Sequence, residues 1–339
     1  MKQVIATEPS SSAPPGGADG STVRPSRSFA WRAMLRYGVF GVFVIMIATF
    51  GVLRTQDFLQ LDTLKEILVN ASVLAVVASG LTLVLAIGEF DLSFGSVAGF
   101  AGAVVVYMMY KAGLPLVPAL AVALVAGLVA GLANGVIVAY GKVPALIATL
   151  AVGSVAEGVE RWIFNDETIY EGIPHSFLSI TNTSVFGFQM IVPISIVVVI
   201  ALCLICSFTT FGRRVFATGG SEEAARIAGI RTRRVRTVTF ILMGLGAGIA
   251  GILLMSQASS YYPNSGTGLL LPAYAACFLG WSAAGADRFY PAYTYFGVLF
   301  IGTLSTGLIM LQVASWVTDV VQGVVLVSAV LVARAARTS

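Results

Sequence analysis

Two acids, Glu89 and Asp91, stand two residues apart inside a long apolar stretch, in the run GEFDLSFGS. A charged side chain in such surroundings costs several kcal/mol unless it meets a partner or a wet cavity. Asp91 has an ordinary role open to it as the cap of the next helix, with Ser93 and Ser96 following and Gly88 and Gly95 freeing the backbone. The alternative is a place on a polar pathway. Asn134 lies on a helix whose Gly127, Gly131 and Gly135 form a small-residue face, so it either hydrogen-bonds between helices or lines that pathway. Thr149 and Glu157, Asn264 and Asp319 are weaker polar candidates, and Phe90, Phe94, Tyr107 and Trp281 could stack on a ring. Aromatics in lipid more often pack or anchor at the interface.

Several other signals carry no chemistry. Cys203 and Cys206 spell C-x-x-C, a redox pair in a soluble fold, but here they sit with Cys277 in apolar runs and read as small hydrophobes. Gly246, Gly248 and Gly251 satisfy G-x-G-x-x-G without the preceding strand that a dinucleotide site needs, so they read as helix-packing residues. No G-x-x-x-x-G-K-[ST] occurs, so the chain carries no P-loop of its own. The one histidine, His175, reads as an ordinary loop residue. Neither a catalytic group nor a metal site is expected.

The elements that must position these residues follow from composition. The 339 residues are 57% hydrophobic and 11% charged, with mean hydropathy +0.90. Soluble domains carry about 25% charged residues, so lipid is the expected solvent. Residues 1–30, rich in Ser, Pro and Gly, read as a disordered cytoplasmic tail rather than a cleaved leader, because the first apolar core begins only near Met34, behind Arg24, Arg27 and Arg32. Runs of roughly 20 apolar residues fall at about 34–53, 67–87, 92–110, 116–139, 145–163, 190–209, 237–256, 268–286, 292–311 and 316–334. Ten spans with a cytoplasmic N-terminus put 16 of the 20 basic residues inside, leaving Arg54, Lys65, Lys111 and Arg161 outside. The expected fold is therefore an all-α membrane protein with about ten transmembrane helices, N-in and C-in. The net charge of +4 follows this topology and gives no sign of nucleic acid as a partner.

One cytoplasmic connection, 211–236, is too long and too patterned to be a simple turn. Gly219 and Gly220 break what precedes, Ser221 can cap a short helix, and Glu222 and Glu223 lie in the first turn, where the helix dipole favours acids. Ala224, Ala225, Ile227 and Ala228 keep its surface small, Arg226 adds charge, and Gly229 ends it. A small-residue helix flanked by charge fits a groove on another protein; the plainer reading is a solvated loop.

Glu223-Ala224-Ala225, followed after three residues by Gly229, resembles the E-A-A-x-x-x-G element of ABC importer permeases. Residues 80–100 resemble the G-G-I-D-L-S-x-G-S stretch of ribose-type monosaccharide permeases. Residues 134–150, 211–230 and 265–286 resemble further motifs of that family, and the likeness runs from about 65 to 335. It implies a type II ABC importer-like fold with a transmembrane permease domain at 31–336. It also implies a separate ATPase subunit that binds ATP and Mg and docks on the helix at Ser221–Gly229. A second permease copy, identical or closely related, would complete the pathway, and an extracytoplasmic sugar-binding protein would deliver a monosaccharide or polyol. The chain itself would be a non-catalytic subunit in the bacterial inner membrane, in contact with lipid. Five plus five spans would permit an inverted repeat. The sequence departs from the family where Glu89 replaces a glycine, Phe90 replaces an isoleucine and Phe94 precedes Gly95. That departure favours a pathway or gating role for Glu89, so the expected pathway set is Glu89, Phe90, Asp91, Ser93, Phe94, Ser96, Asn134 and Thr149. The rival readings are a secondary transporter that couples an ion through Glu89 and Asp91, and a membrane scaffold or receptor.

Overall fold

The structure, a computed structural model, describes residues 27–338 apart from 186, 286 and 287, and side-chain environments between 38 and 331. The tail expected at 1–30 lies outside the described residues up to position 26. The chain is helical almost throughout: α1 (Arg27–Leu53), α2 (Leu61–Ala86), α3 (Phe94–Tyr110), α4 (Leu116–Ala139), α5 (Ala145–Phe164), α6 (His175–Asn182), α7 (Ile191–Phe208), α8 (Thr210–Gly220), α9 (Glu222–Ile227), α10 (Thr232–Ala258), α11 (Leu270–Ala283), α12 (Pro291–Met310) and α13 (Ser315–Thr338). A two-residue hairpin, β1 (Ser184–Val185) with β2 (Phe188–Gln189), follows α6, and a single 3-10 turn, Thr267–Leu269, precedes α11.

Ten of these helices coincide with the ten expected spans. Five of them, α2, α4, α7, α10 and α12, are long and apolar enough to cross a membrane unaided, and shorter apolar stretches lie in α1, α3, α11 and α13. Local chemistry sets the boundaries. Pro115, Pro144 and Pro174 occupy the caps of α4, α5 and α6, and Pro291 starts α12, where a missing N–H costs nothing. α5 stops at Asn165 in the left-handed region.

Contacts between connections confirm which ends lie together. At one end Glu89 meets Arg236, Gly135 abuts Thr237, and Arg288 covers the Phe216 ring. At the other end Arg54 donates to the Met310 carbonyl, Ile169 bridges Tyr261, and Gly172 abuts Tyr110. These are the inner and outer sets demanded by the basic-residue count. α6 and the hairpin fill the outer connection, and α8 fills the start of the inner one; neither has a clear signature in the sequence. α10 starts at Thr232, five residues before the expected span.

Two helices form the core. α10 packs along α2, α3 and α4, while α2 packs along α10, α11 and α12. In each half, counting α1–α5 and α7 with α10–α13, the second span thus grips the second, third and fourth spans of the other half. The third and fifth spans also pack together in both halves, as α3 with α5 and α11 with α13. This reciprocity is the pattern of an inverted repeat, carried by packing where residue-level similarity is absent.

The α4–α10 seam shows how close the approach is. A Cβ at Gly131 would press on the Phe240 carbonyl and lie 3.1 Å from the Gly244 Cα, and one at Gly127 would lie 2.5 Å from the Gly244 carbonyl. Backbones this close gain dispersion that no larger residue permits. Replacing Gly131 by leucine is expected to cost about 1–3 kcal/mol and to lower the thermal midpoint of the purified protein. Gly158→Ala, where the added methyl meets nothing within 4 Å, should leave that midpoint unchanged.

Candidate functional site

The acidic motif occupies a break between α2 and α3. Gly88, at φ +81°, turns the chain out of α2, its N–H bonding to the Leu85 carbonyl and that of Glu89 to the Val84 carbonyl. This Schellman closure needs a residue without a Cβ penalty in the left-handed region. Residues 89–93 then run without regular secondary structure into α3. α3, with 17 residues, spans only about 26 Å, short of the ~30 Å hydrocarbon layer, and the irregular segment completes the crossing. α11 is likewise short and is prefaced by irregular chain. The two breaks meet backbone to backbone, since a Cβ on Gly95 would lie 2.7 Å from the Gly266 carbonyl.

Non-helical backbone at that depth must find its partners inside the protein. The Tyr274 hydroxyl donates to the Asp91 carbonyl at 2.7 Å and lies 3.2 Å from the Asp91 N–H, which donates to it. The Leu92 N–H donates to Thr149 Oγ1 at 3.1 Å, while that hydroxyl donates to Ala145. Asp91 Oδ1 accepts from the Ser93 N–H at 2.7 Å and from its hydroxyl at 2.6 Å, and Asn134 Nδ2 donates to Ser93 Oγ at 2.7 Å. Asp91, Ser93, Asn134 and Thr149 are each at most 1% exposed. The structure thus gathers four of the expected residues into one sealed network that pins the segment. Phe94 is buried against the Tyr274 ring, and Ser96 is buried where Gly153 leaves space. Phe90 alone swings outward, 40% exposed and stacked on Tyr274.

Glu89 leaves this network and points to the inner face. Arg236 Nη2, at the start of α10, lies 3.0 Å from Glu89 Oε1 and 2.9 Å from Glu222 Oε2, and Thr232 donates to the other oxygen of Glu222. One guanidinium therefore joins the broken-helix segment to α9. The geometry of α9 follows the sequence expectation. Ser221 Oγ accepts from the Ala224 N–H, Glu222 and Glu223 fill the first turn, and Arg226 pairs with Glu223 at 2.7 Å. Gly229, at φ +80°, closes a second Schellman motif through Gly229 N–H to Arg226 and Ile230 N–H to Ala225. Ala225 packs inward and Ile227 is 80% exposed at the tip. Ahead of α9, Gly219 presses on the Ala86 carbonyl at the end of α2.

Sequence reasoning passed over three participants. Tyr274, a lone tyrosine among alanines, is the main partner of Asp91. Arg236 looked like one more topological arginine. Glu160 is fully buried beside Gly99 and accepts from the Asn264 N–H at 3.1 Å; its neighbour Glu157, the residue singled out, is a half-exposed partner of Arg161. Tyr107 contacts Phe164, while Trp281 joins Phe90 around a cleft on the inner side. His175 and Asp319 are exposed. Cys203 and Cys206 lie on α7 as free thiols, and Cys277 is buried next to Thr82. Among the described residues no group of three or more His, Cys, Asp or Glu side chains could hold a metal ion.

Comparison with known proteins places this geometry. Residues 63–330 match the family described as branched-chain amino acid transport system / permease component. The chain is 34% identical over 281 residues to the autoinducer 2 import system permease protein LsrC of Escherichia coli O9:H4 (strain HS), covering 80% of this chain and 79% of that one. It is 34% identical over 298 residues to the ribose import permease protein RbsC of Escherichia coli K12, covering 85% and 90%. A solved ABC transporter described as of metal-chelate type, in an inward-facing conformation, aligns over 81% of this chain and 89% of its own at 14% identity, with a TM-score of 0.47.

Two outcomes follow. Asp91→Ala strands the Ser93 N–H and should cost about 1–3 kcal/mol, read as a lower thermal midpoint, with Asp91→Asn losing less because an amide oxygen still accepts. A double-mutant cycle of Glu89→Gln and Arg236→Gln should give a coupling energy of about 0.5–3 kcal/mol; additivity would mean that the pair does not act as a unit.

Proposed function

The chain belongs to the permease-component family that matches residues 63–330, a multi-pass inner-membrane transport subunit, and on that premise we propose that it is the permease of an ATP-driven, binding-protein-dependent importer of a monosaccharide or polyol. Two relatives named for ribose import and autoinducer 2 import support the substrate class. The observation that carries the ATP-driven part is α9: a short helix capped at both ends, displayed on the inner face and tied by Arg236 to the broken segment inside the bundle. A partner ATPase that binds ATP and Mg would seat on the Ser221–Gly229 helix through the exposed Ile227 and its flanking charges. Closure of the ATPases would move α9, and with it the start of α10 and the 88–93 segment. A second copy of this chain, or a close paralogue, would supply the other wall of the pathway, and an extracytoplasmic sugar-binding protein would dock on the outer connections.

No covalent step is assigned to this chain; its work is conformational. The coupling of an ion by Glu89 and Asp91 is the weaker reading, because Asp91 is spent on Ser93 and Glu89 on Arg236.

The test is uptake in proteoliposomes that hold the permease, its ATPase and its binding protein. Sugar should accumulate with ATP, and a proton or sodium gradient alone should move none; gradient-driven uptake without ATP would sink the proposal. Gly229→Val forces a β-branched residue into the left-handed region, at a cost of about 1–2 kcal/mol, yet the added Cβ would meet nothing within 4 Å. Membrane insertion should therefore survive while sugar moved per ATP falls severalfold.

A further inference from the structure

On the inner side of the bundle lies a cleft of about 590 Å³, within the ~300–1,000 Å³ range of small-molecule sites. One wall is the end of α2 with Gly88, Glu89 and Phe90; the opposite wall is the end of α8 with Phe216, Gly219 and Gly220. Trp281 of α11 and Arg288 and Phe289 of the following connection close it. Its chemistry is mixed in a particular way. Trp281 and Phe289 stack at 5.2 Å and 20°, Phe216 stacks on Tyr290, and Phe90, stacked on Tyr274, is 40% exposed. The Arg288 guanidinium sits 5.1 Å over Phe216 and 5.8 Å over Tyr290, so it is oriented by aromatic rings. Glu89, through the oxygen that Arg236 does not hold, gives the cleft a carboxylate acceptor, and Gly220 leaves room beside it. Flat apolar faces, one fixed fork of donors and one acceptor are the complement of a ring that carries hydroxyl groups.

The wall residues are also the coupling residues. Glu89 shares Arg236 with Glu222 of α9, and Gly219 abuts α2 three residues before α9 begins. A molecule lodged in the cleft beside this α2–α8 contact would hold the position that α9 must leave.

We propose that this cleft is a cytoplasm-facing site for a polyhydroxylated ring, of the class the importer carries, and that its occupancy restrains the α8–α9 segment through Glu89 and Arg236. The proposal rests on the permease reading above and adds to it an internal product sensor. Accumulated sugar on the inner side would slow the ATPase.

The experiment uses the full complex in nanodiscs, with both faces reachable, and D-ribose, D-xylose, D-glucose and myo-inositol as probes. Binding is read on the permease without its binding protein, and ATPase rate is read on the whole complex. At least one probe should bind saturably and slow ATP hydrolysis. Arg288→Gln and Phe90→Ala, both at exposed positions, should each weaken binding about tenfold and relieve the slowing in parallel. Glu89→Gln, which keeps a carbonyl acceptor but breaks the pairing with Arg236, should bind the probe and lose the ATPase response. Binding of none of the four probes, or binding and ATPase response untouched by Arg288→Gln and Phe90→Ala, overturns the proposal. ATP-driven uptake by the unaltered complex in proteoliposomes is scored separately, so failure of the cleft is distinguishable from failure of the permease reading.

Discussion

Backbone that leaves its helix at membrane depth cannot turn to lipid for hydrogen bonds, and this constraint organises the centre of the molecule. Between Ile87 and Ser93 the chain abandons the α2 ladder, and three helices supply what it loses. Tyr274 comes from α11, Thr149 from α5 and Asn134 from α4, while Asp91 folds back on Ser93. The polar residues that looked like candidates for a wet pathway are consumed in holding seven residues of irregular chain. Most of their polar atoms find partners within the protein, Asn134 Oδ1 being the exception, and they are buried almost to zero exposure.

The same constraint explains why α4 and α10 carry small residues where they face one another. Two interrupted helices, α3 and α11, can meet at Gly95 and Gly266 only if the helices behind them bring backbones into contact. α10 does so along Gly127, Gly131 and Gly135 of α4, and Gly251 presses on the Ala98 carbonyl of α3. The residues that imitate a dinucleotide fingerprint, Gly246, Gly248 and Gly251, therefore belong to a packing surface. The reciprocal grip of α2 and α10 on the opposite halves puts the two breaks at the centre of a pseudo-symmetric core. An inverted repeat can thus persist in packing after it has faded from the residues, because packing asks only for smallness at certain positions.

Much of this was legible in the sequence because it depends on bulk quantities. Span positions follow from apolar length, orientation follows from 16 arginines and lysines against 4, and α9 follows from Ser221, two acids and Gly229, whose capping chemistry is local. What stayed hidden depends on one contact between distant segments. Nothing in the order of residues says that Tyr274 is 183 positions from its partner and yet within 2.7 Å of it. Nor does it say that Arg236, one of four arginines in the six residues 231–236, is the one turned inward. Glu160 was obscured by Glu157, three residues earlier on the same helix, and only depth separates their roles. Glu89 shows the limit from the other side. A departure from a family pattern flagged it correctly as unusual, but the partner that gives it meaning lies 147 positions away in α10.

That partner shares its charge between two acids, and the arrangement has a direction. Arg236 can serve Glu89 and Glu222 together only while α9 sits against the end of α2, where Gly219 meets Ala86. If α9 shifts, one carboxylate loses its cation. Glu222 is 44% exposed and can take up water, whereas Glu89, at 16%, has far less access to it. The guanidinium should therefore stay with Glu89, and the contact to α9 is the one that opens. Displacement of α9 then leaves the segment pinned at its inner end, and force reaches it through α10 as a rigid body rather than through the loop. By linkage, whatever coupling free energy the α9 position exerts on the Glu89 end, the Glu89 end exerts equally on the α9 position. The Glu89 carboxylate thus makes the turn after α2 one side of a two-way connection between the interior of the bundle and its cytoplasmic face.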